Sequence, residues 1–162
     1  VLSGLSIELR ATGARHEAGA PISLKGIYTN TGPEPFTLAF WWNRRIRVVD
    51  AQGRVVTPGP GPVLPCGIME QLLRLAPGER HERGEALGCT QPAGRSEAIG
   101  WSYDLAPGTY RLTLVFEAPP AHGFSQGDGT WRGKVESNEV AIEVVPAPPR
   151  GLLSRIAGLF GA

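Results

Sequence analysis

Gly or Pro stands at 37 of the 162 positions of this chain, 22 of them Gly and 15 Pro. Pro removes a backbone donor and clashes with the preceding helical turn, and Gly is the costliest ordinary residue in a helix after Pro. Punctuation this dense excludes a helical bundle or a coiled coil. Between the breaks lie short apolar alternations. Leu5, Ile7 and Leu9 alternate with Ser6, Glu8 and Arg10, and Ile22, Leu24 and Tyr28 keep period two up to Asn30-Thr31-Gly32. Phe36, Leu38 and Phe40 follow, then Ile46 to Val49, and later Tyr110, Leu112, Leu114 and Phe116 and finally Val140, Ile142 and Val144. Period two places alternate residues on one face of a strand, so these segments predict half-buried strands. Hydrophobic residues at 41% exclude wholesale disorder, and a formal charge of +1 writes no polyanion partner into the balance.

The turns carry the next level of information. Asp50-Ala51-Gln52-Gly53 joins two apolar runs and predicts a hairpin with Gly53 in the left-handed position. Leu75-Ala76-Pro77-Gly78-Glu79 has the signature of a type II turn, with Pro presetting one torsion and Gly accepting the positive φ of the next. Strands paired about that turn would set Cys66 opposite Cys89, the only two cysteines. A bond between them is worth about 3 kcal/mol in the chain-entropy description and would point to an oxidising compartment. Against this pairing, the arm from Arg80 to Glu85 is polar for a strand. Asp104-Leu105-Ala106-Pro107-Gly108-Thr109-Tyr110 fits a tyrosine corner, in which the phenol bonds backbone a few residues upstream at a crossover between sheets. Antibody domains carry Cys two residues beyond that Tyr. Here the residue is Leu112, so apolar packing takes the place of a disulfide between sheets.

These observations predict an all-β chain, an immunoglobulin-like antiparallel β-sandwich of seven to nine strands over residues 1–146. Residues 147–162 form a Pro-rich spacer and a short C-terminal segment. There Leu152, Leu153, Ile156, Leu159 and Phe160 recur at helical spacing, which predicts a short amphipathic helical tail. Packing on the domain itself, docking to a partner and peripheral membrane contact are all open to it, with partner docking ahead of membrane because Arg155 is the only charged side chain from Gly151 to Ala162. No apolar run approaches the roughly 20 residues of a spanning helix. The chain does not begin with Met, and a longer or processed precursor is expected.

Chemistry is hard to find. His16, His81 and His122 fall in separate segments without further ligands at metal-binding spacing, so no metal or cofactor is expected. Gly123-Phe124-Ser125-Gln126-Gly127 has the Gly-x-Ser-x-Gly spacing, but Ser125 lies in a Gly-rich loop beside His122 with no strand-to-helix turn behind it, so no nucleophile elbow is expected. No loop is built to cradle phosphate, and a basic groove for nucleic acid is missing. Recognition is left to the aromatics. Trp41 and Trp42 must point to opposite faces of their strand, and an exposed Trp beside Arg44 and Arg45 would suit a sugar or protein contact.

Three groups of residues together resemble a set of bacterial secreted immunoglobulin-like domains. They are Ile22-x-Leu24 with Asn30-Thr31-Gly32 and Glu34-Pro35-Phe36; Leu75-x-Pro77-Gly78-Glu79; and Gly108-Thr109-Tyr110-Arg111-Leu112 with Trp131-Arg132-Gly133-Lys134-Val135-Glu136-Ser137-Asn138. In order and kind they are similar to the BsuPI-like proteinase inhibitors and the CARDB-like domains, over roughly residues 5–145. The resemblance implies a non-enzymatic, secreted or periplasmic binding or accessory module that meets a protein partner through loops or a sheet edge. A proteinase inhibitor presenting residues 57–65 or 118–129 is the alternative, and a hydrolase with a site invisible in sequence is the third. The stretch from Trp131 to Asn138 reads as a bulged strand start, with Asn138 expected to satisfy a local backbone turn.

Overall fold

The computed structural model describes residues 4–40, 44–59, 72–88, 101–118 and 129–148. Within them the chain is all-β, with antiparallel sheets and no helix among the described residues. The first sheet runs β1 (Leu5–Ala11), β3 (Ile22–Asn30), β7 (Arg80–Gly88) and β8 (Trp101–Ser102). The second centres on β9 (Gly108–Ala118). One side of β9 pairs with β5 (Arg44–Asp50), and the other with β11 (Val140–Val145) and then β10 (Gly133–Glu136). The short β2 (Arg15–Glu17) lies parallel to β11, and β4 (Phe36–Ala39) pairs with β6 (Leu72–Leu75) as a separate ribbon. Eleven strands are present among the described residues, where the sequence predicts seven to nine. The excess is in β2, too short to show alternation, and in the division of one β9 partner into β10 and β11; β8 falls within the run Ala98 to Tyr103, which the sequence offers as a strand. Two contacts, β2–β11 and β7–β8, are parallel.

The predicted inward residues do face one core. Leu5, Ile7, Leu9, Ile22, Leu24 and Tyr28 from the first sheet join Ile46, Val48, Tyr110, Leu112, Leu114, Phe116, Ile142 and Val144 from the second in a single buried cluster. The Tyr110 hydroxyl donates to the Ala106 carbonyl at 2.8 Å, the expected corner, where the chain passes from β8 in one sheet to β9 in the other. Gly53 takes φ +82° and closes the predicted hairpin, with Asp50 Oδ1 accepting the N–H groups of Gln52 and Arg54.

Two expectations fail. Pro77-Gly78 makes the type II turn, with Gly78 at φ +76° and the Glu79 N–H donating to the Ala76 carbonyl at 2.9 Å, but it does not make a hairpin. β6 before it pairs with β4, and β7 after it pairs with β3 in a register from Thr29↔Arg80 to Ile22↔Leu87. Asn30 imposes this. Its N–H donates to the Glu79 carbonyl, its carbonyl accepts from the Gly78 N–H, and its buried Nδ2 donates to the carbonyls of Leu75 and Glu34. The register argument for Cys66 facing Cys89 is therefore lost, and both cysteines lie outside the described residues, as do Trp41, Trp42 and the 149–162 portion of the tail. Asn138 likewise serves no local turn. Its Oδ1 accepts the Leu9 N–H at 2.8 Å and its Nδ2 donates to the Leu9 carbonyl at 3.0 Å, so one amide stitches β1 to the β10–β11 junction.

Candidate functional site

β7 is where sequence reasoning is weakest and where the chain's unusual chemistry collects. Its eight-rung ladder with β3 holds it in the sheet despite its polarity. Strand alternation then turns His81, Arg83, Glu85 and Leu87 to one face. Leu87 joins the core, and Glu85 is carried in with it, leaving a side chain only 6% exposed. Glu85 Oε1 accepts the Tyr28 hydroxyl at 3.1 Å, and Oε2 meets Arg44 Nε at 3.2 Å. Tyr28 stands opposite His81, not Glu85, so its ring must lean two rungs along β3 to make this bond. Gly26 permits it: a Cβ there would come within 3.1 Å of Tyr28 Cε2 and Leu114 Cδ2.

Arg44 reaches this carboxylate from the other sheet, where it is paired with Phe116, and its side chain is only 9% exposed. The ion pair is thus a latch between the sheets. Around it the aromatic rings stand edge to face, Tyr28 to Phe40 at 4.9 Å, Phe40 to Phe116 at 5.9 Å and Phe116 to Trp131 at 5.6 Å. Phe40 has both guanidiniums over it, Arg83 at 4.7 Å and Arg44 at 5.6 Å from its centroid. Arg83 is half-buried with no ion pair or hydrogen bond among the described residues, and its Nε is buried without a partner. The Trp131 indole N–H is buried without one as well.

Electrostatics follow from this placement. Burial raises the Glu85 carboxyl above its ordinary value, against the pull of Arg44, the Tyr28 bond and Arg83. Burial also raises the Tyr28 phenol well above its usual range, and the Glu85 charge adds to it. Arg83 is lowered by its burial and by the like charge of Arg44. Among the described residues Arg44 and Arg83 both lie near the Glu85 carboxylate, whose two oxygens are engaged by Tyr28 and Arg44. Among the described residues no group of three or more His, Cys, Asp or Glu is placed to hold a metal.

Of the predicted contact residues, Arg44 and Arg45 alternate as strand neighbours must. Arg44 is turned inward to Glu85 and presents no surface guanidinium; Arg45 faces outward and pairs with Glu117 at 3.3 Å. Sequence reasoning missed Tyr28, Phe40, Arg83 and Glu85 as a group. The available signal was Gly26 interrupting the inner face of β3, together with charges at alternate positions of β7.

The sheet edges beside this cluster are treated unequally. Asn138 takes both backbone groups of Leu9 on the outer edge of β1. On β5 the Ile46 carbonyl accepts the Tyr103 hydroxyl at 2.5 Å, and the Val48 carbonyl accepts the Val56 N–H at 2.9 Å. β7 differs. Leu9 spends its groups on Asn138, so its partner Gly26 bonds to β7 instead, through Arg83. The neighbours Arg80, Glu82 and Gly84 therefore turn N–H and C=O outward. Among the described residues the only strand on that edge is β8, opposite Leu87 and Gly88.

No family model matches the chain, and no curated protein matches it. Among solved structures, a β-glucosidase from Erythrobacter marinus is similar at 16% identity and a TM-score of 0.46. That likeness covers 87% of this chain and 15% of the enzyme, so the chain spans a small part of that protein's length.

Proposed function

We propose that the chain is an immunoglobulin-like β-sandwich acting as a non-enzymatic binding module for a protein partner, with the outer edge of β7 as its contact. The pairing order supports the sandwich reading. β1, β3 and β7 stand in the order of strands A, B and E; β5, β9 and β10/β11 stand as C, F and G, with the tyrosine corner at the start of F. In that scheme a strand D pairs with E. Here β6, which precedes β7 as D would, pairs with β4 instead. The observation that carries the proposal is the edge from Arg80 to Gly84, which no strand pairs among the described residues, a template for strand addition. The buried carboxylate favours binding over catalysis, because Glu85 is engaged by Tyr28 and Arg44. Secretion or periplasmic placement belongs to the same proposal and rests on Cys66 and Cys89.

Gly84→Pro tests it. The Gly84 N–H faces away from β3, so Pro deletes an edge donor and no ladder bond, and a side chain there meets nothing within 4 Å. A protein retained from the native extract by the wild type and lost by a folded Gly84→Pro variant supports the module. Equal retention by both moves the contact off this edge, and a retained protease that loses activity favours the inhibitor.

A further inference from the structure

We infer that the β7 edge selects an extended strand carrying a carboxylate opposite Arg83; this rests on the binding-module reading and names the chemistry of its partner. A strand laid along Arg80, Glu82 and Gly84 would exchange N–H and C=O with those residues. It would therefore meet Arg83 at a non-hydrogen-bonded position, where facing side chains approach most closely. The residue opposite Arg83 shares its face, the one turned toward Phe40. An inward-pointing charge on an open edge repels a neutral strand, because pairing would bury the guanidinium without an anion. Glu85 acts on Arg83 through its charge but makes no hydrogen bond or ion pair with it. Tyr28 holds one of its oxygens and Arg44 the other. Arg83 itself has no hydrogen bond or ion pair among the described residues, and its Nε is already buried without an acceptor. A carboxylate arriving with the incoming strand supplies the ion-pair partner that the Arg83 guanidinium lacks among the described residues. The same residue that rejects neutral strands thus recognises an acidic one, a specificity built from repulsion and attraction together. Gly84, at the centre of this edge, is exposed.

The test uses the full chain and three capped peptides, Thr-Val-Thr-Glu-Thr-Val-Thr and its versions with Gln or Lys in place of Glu, titrated while backbone amide resonances are followed. The Glu peptide is expected to shift the Glu82, Arg83 and Gly84 amides and to bind about tenfold or more tighter than the Gln peptide, with Lys weakest. Arg83→Met should bring the Glu and Gln peptides to equal affinity, because Arg44 and Glu85 remain as a balanced pair. Arg45→Met, which removes the same charge from the outer face of the other sheet, should leave the preference intact. Equal affinities in the wild type overturn the inference, as does a preference that survives Arg83→Met. Absence of binding at millimolar peptide does so too. Slow hydrogen exchange at the Glu82 and Gly84 amides of the free chain would mean that the edge is already covered, and would reject it independently. A partner lost by Gly84→Pro yet indifferent to the Glu/Gln exchange would leave the module standing and remove only the carboxylate preference.

Discussion

Breaking the latch between the sheets gives the sharpest test of the interior. Arg44→Met removes a guanidinium whose side chain is 9% exposed, from a carboxylate whose side chain is 6% exposed. Removing one member of such a buried pair costs about 3–5 kcal/mol, because the other is left charged and dry. The two deletions are not equivalent. Without Arg44, Glu85 keeps the Tyr28 hydroxyl and the nearby positive charge of Arg83, which places this variant near the lower figure. Without Glu85, Arg44 and Arg83 face Phe40 with no anion between them and Tyr28 loses its acceptor, which places Glu85→Met at the upper figure or beyond. A domain of ordinary stability, about 5–15 kcal/mol, loses a large fraction of it. Arg44→Met/Glu85→Met leaves the Tyr28 hydroxyl without its acceptor, about 1–3 kcal/mol, and Arg83 without the Glu85 charge, together less than the sum of the two single losses. Urea unfolding followed by tryptophan fluorescence measures all four chains. Single losses below about 1 kcal/mol that add in the double variant would refute the buried-pair argument.

The same variants have a pH signature. Burial raises the folded Glu85 carboxyl above its unfolded value, so the folded chain binds that proton more tightly than the unfolded chain. Stability from this group is full below the unfolded value and is lost as pH rises through the folded one. Arg44 opposes the shift, so deleting it raises the folded value further. The stability gap between wild type and Arg44→Met should therefore narrow as pH falls from neutral toward the carboxylate range. A gap that widens instead is inconsistent with a desolvated carboxyl.

The surface carboxylates behave oppositely. A side-chain bond from Arg10 lowers Glu8, backbone and side-chain bonds from Arg54 lower Asp50, and a side-chain bond from Arg47 lowers Glu136, so their contribution is present above the ordinary carboxylate range and lost as pH falls. Glu136 is exposed and Glu8 and Asp50 are half-buried, and acid titrations repeated in high salt should show the most muted effect at Glu8 and Glu136. Asn138→Ala should cost about 2 kcal/mol for two backbone bonds and speed exchange of the Leu9 amide; an unchanged Leu9 amide would contradict the stitch. Tyr110→Phe should cost about 1 kcal/mol with the sheet pairing intact, read by thermal unfolding and far-ultraviolet dichroism. Alkylation and mass measurement without reductant decides Cys66 and Cys89, with two free thiols in exported material counting against the disulfide.

What the sequence discloses is local. Leu5, Ile7 and Leu9 declare a face, Gly53 and Gly78 declare their turns, and Tyr110 declares its corner, because each signal lies within a few residues and rests on backbone sterics. Partner choice is not local. Pro77-Gly78 has the same turn geometry whether its arms pair with each other or leave for different sheets, and Asn30, 45 residues before Leu75, makes the decision. The cluster around Glu85 was illegible for a related reason. Glu85 is 57 residues from Tyr28, and Arg44 belongs to the other sheet, so no window of sequence contains the site. Charged residues read as surface until their partners are known.

The polarity that made β7 look unlike a strand follows from its position. A strand paired on both sides needs apolar side chains inward, since any charge there would be enclosed. At an open edge, Arg83 can lie half-buried over Phe40 while its head stays near solvent, and Glu85 can enter the interior because Arg44 reaches it from the facing sheet. The charges also constrain what can join. β1 and β5 are closed by specific bonds from Asn138, Tyr103 and Val56, which remove the donors and acceptors a stray strand would use. Among the described residues the Arg80–Gly84 stretch of β7 keeps its outward backbone groups, with Arg83 beside them making no ion pair. A bonded edge excludes every strand, whereas a charged edge excludes all but those that bring the opposite charge. Selectivity at β7 and its unpromising composition therefore have one physical origin.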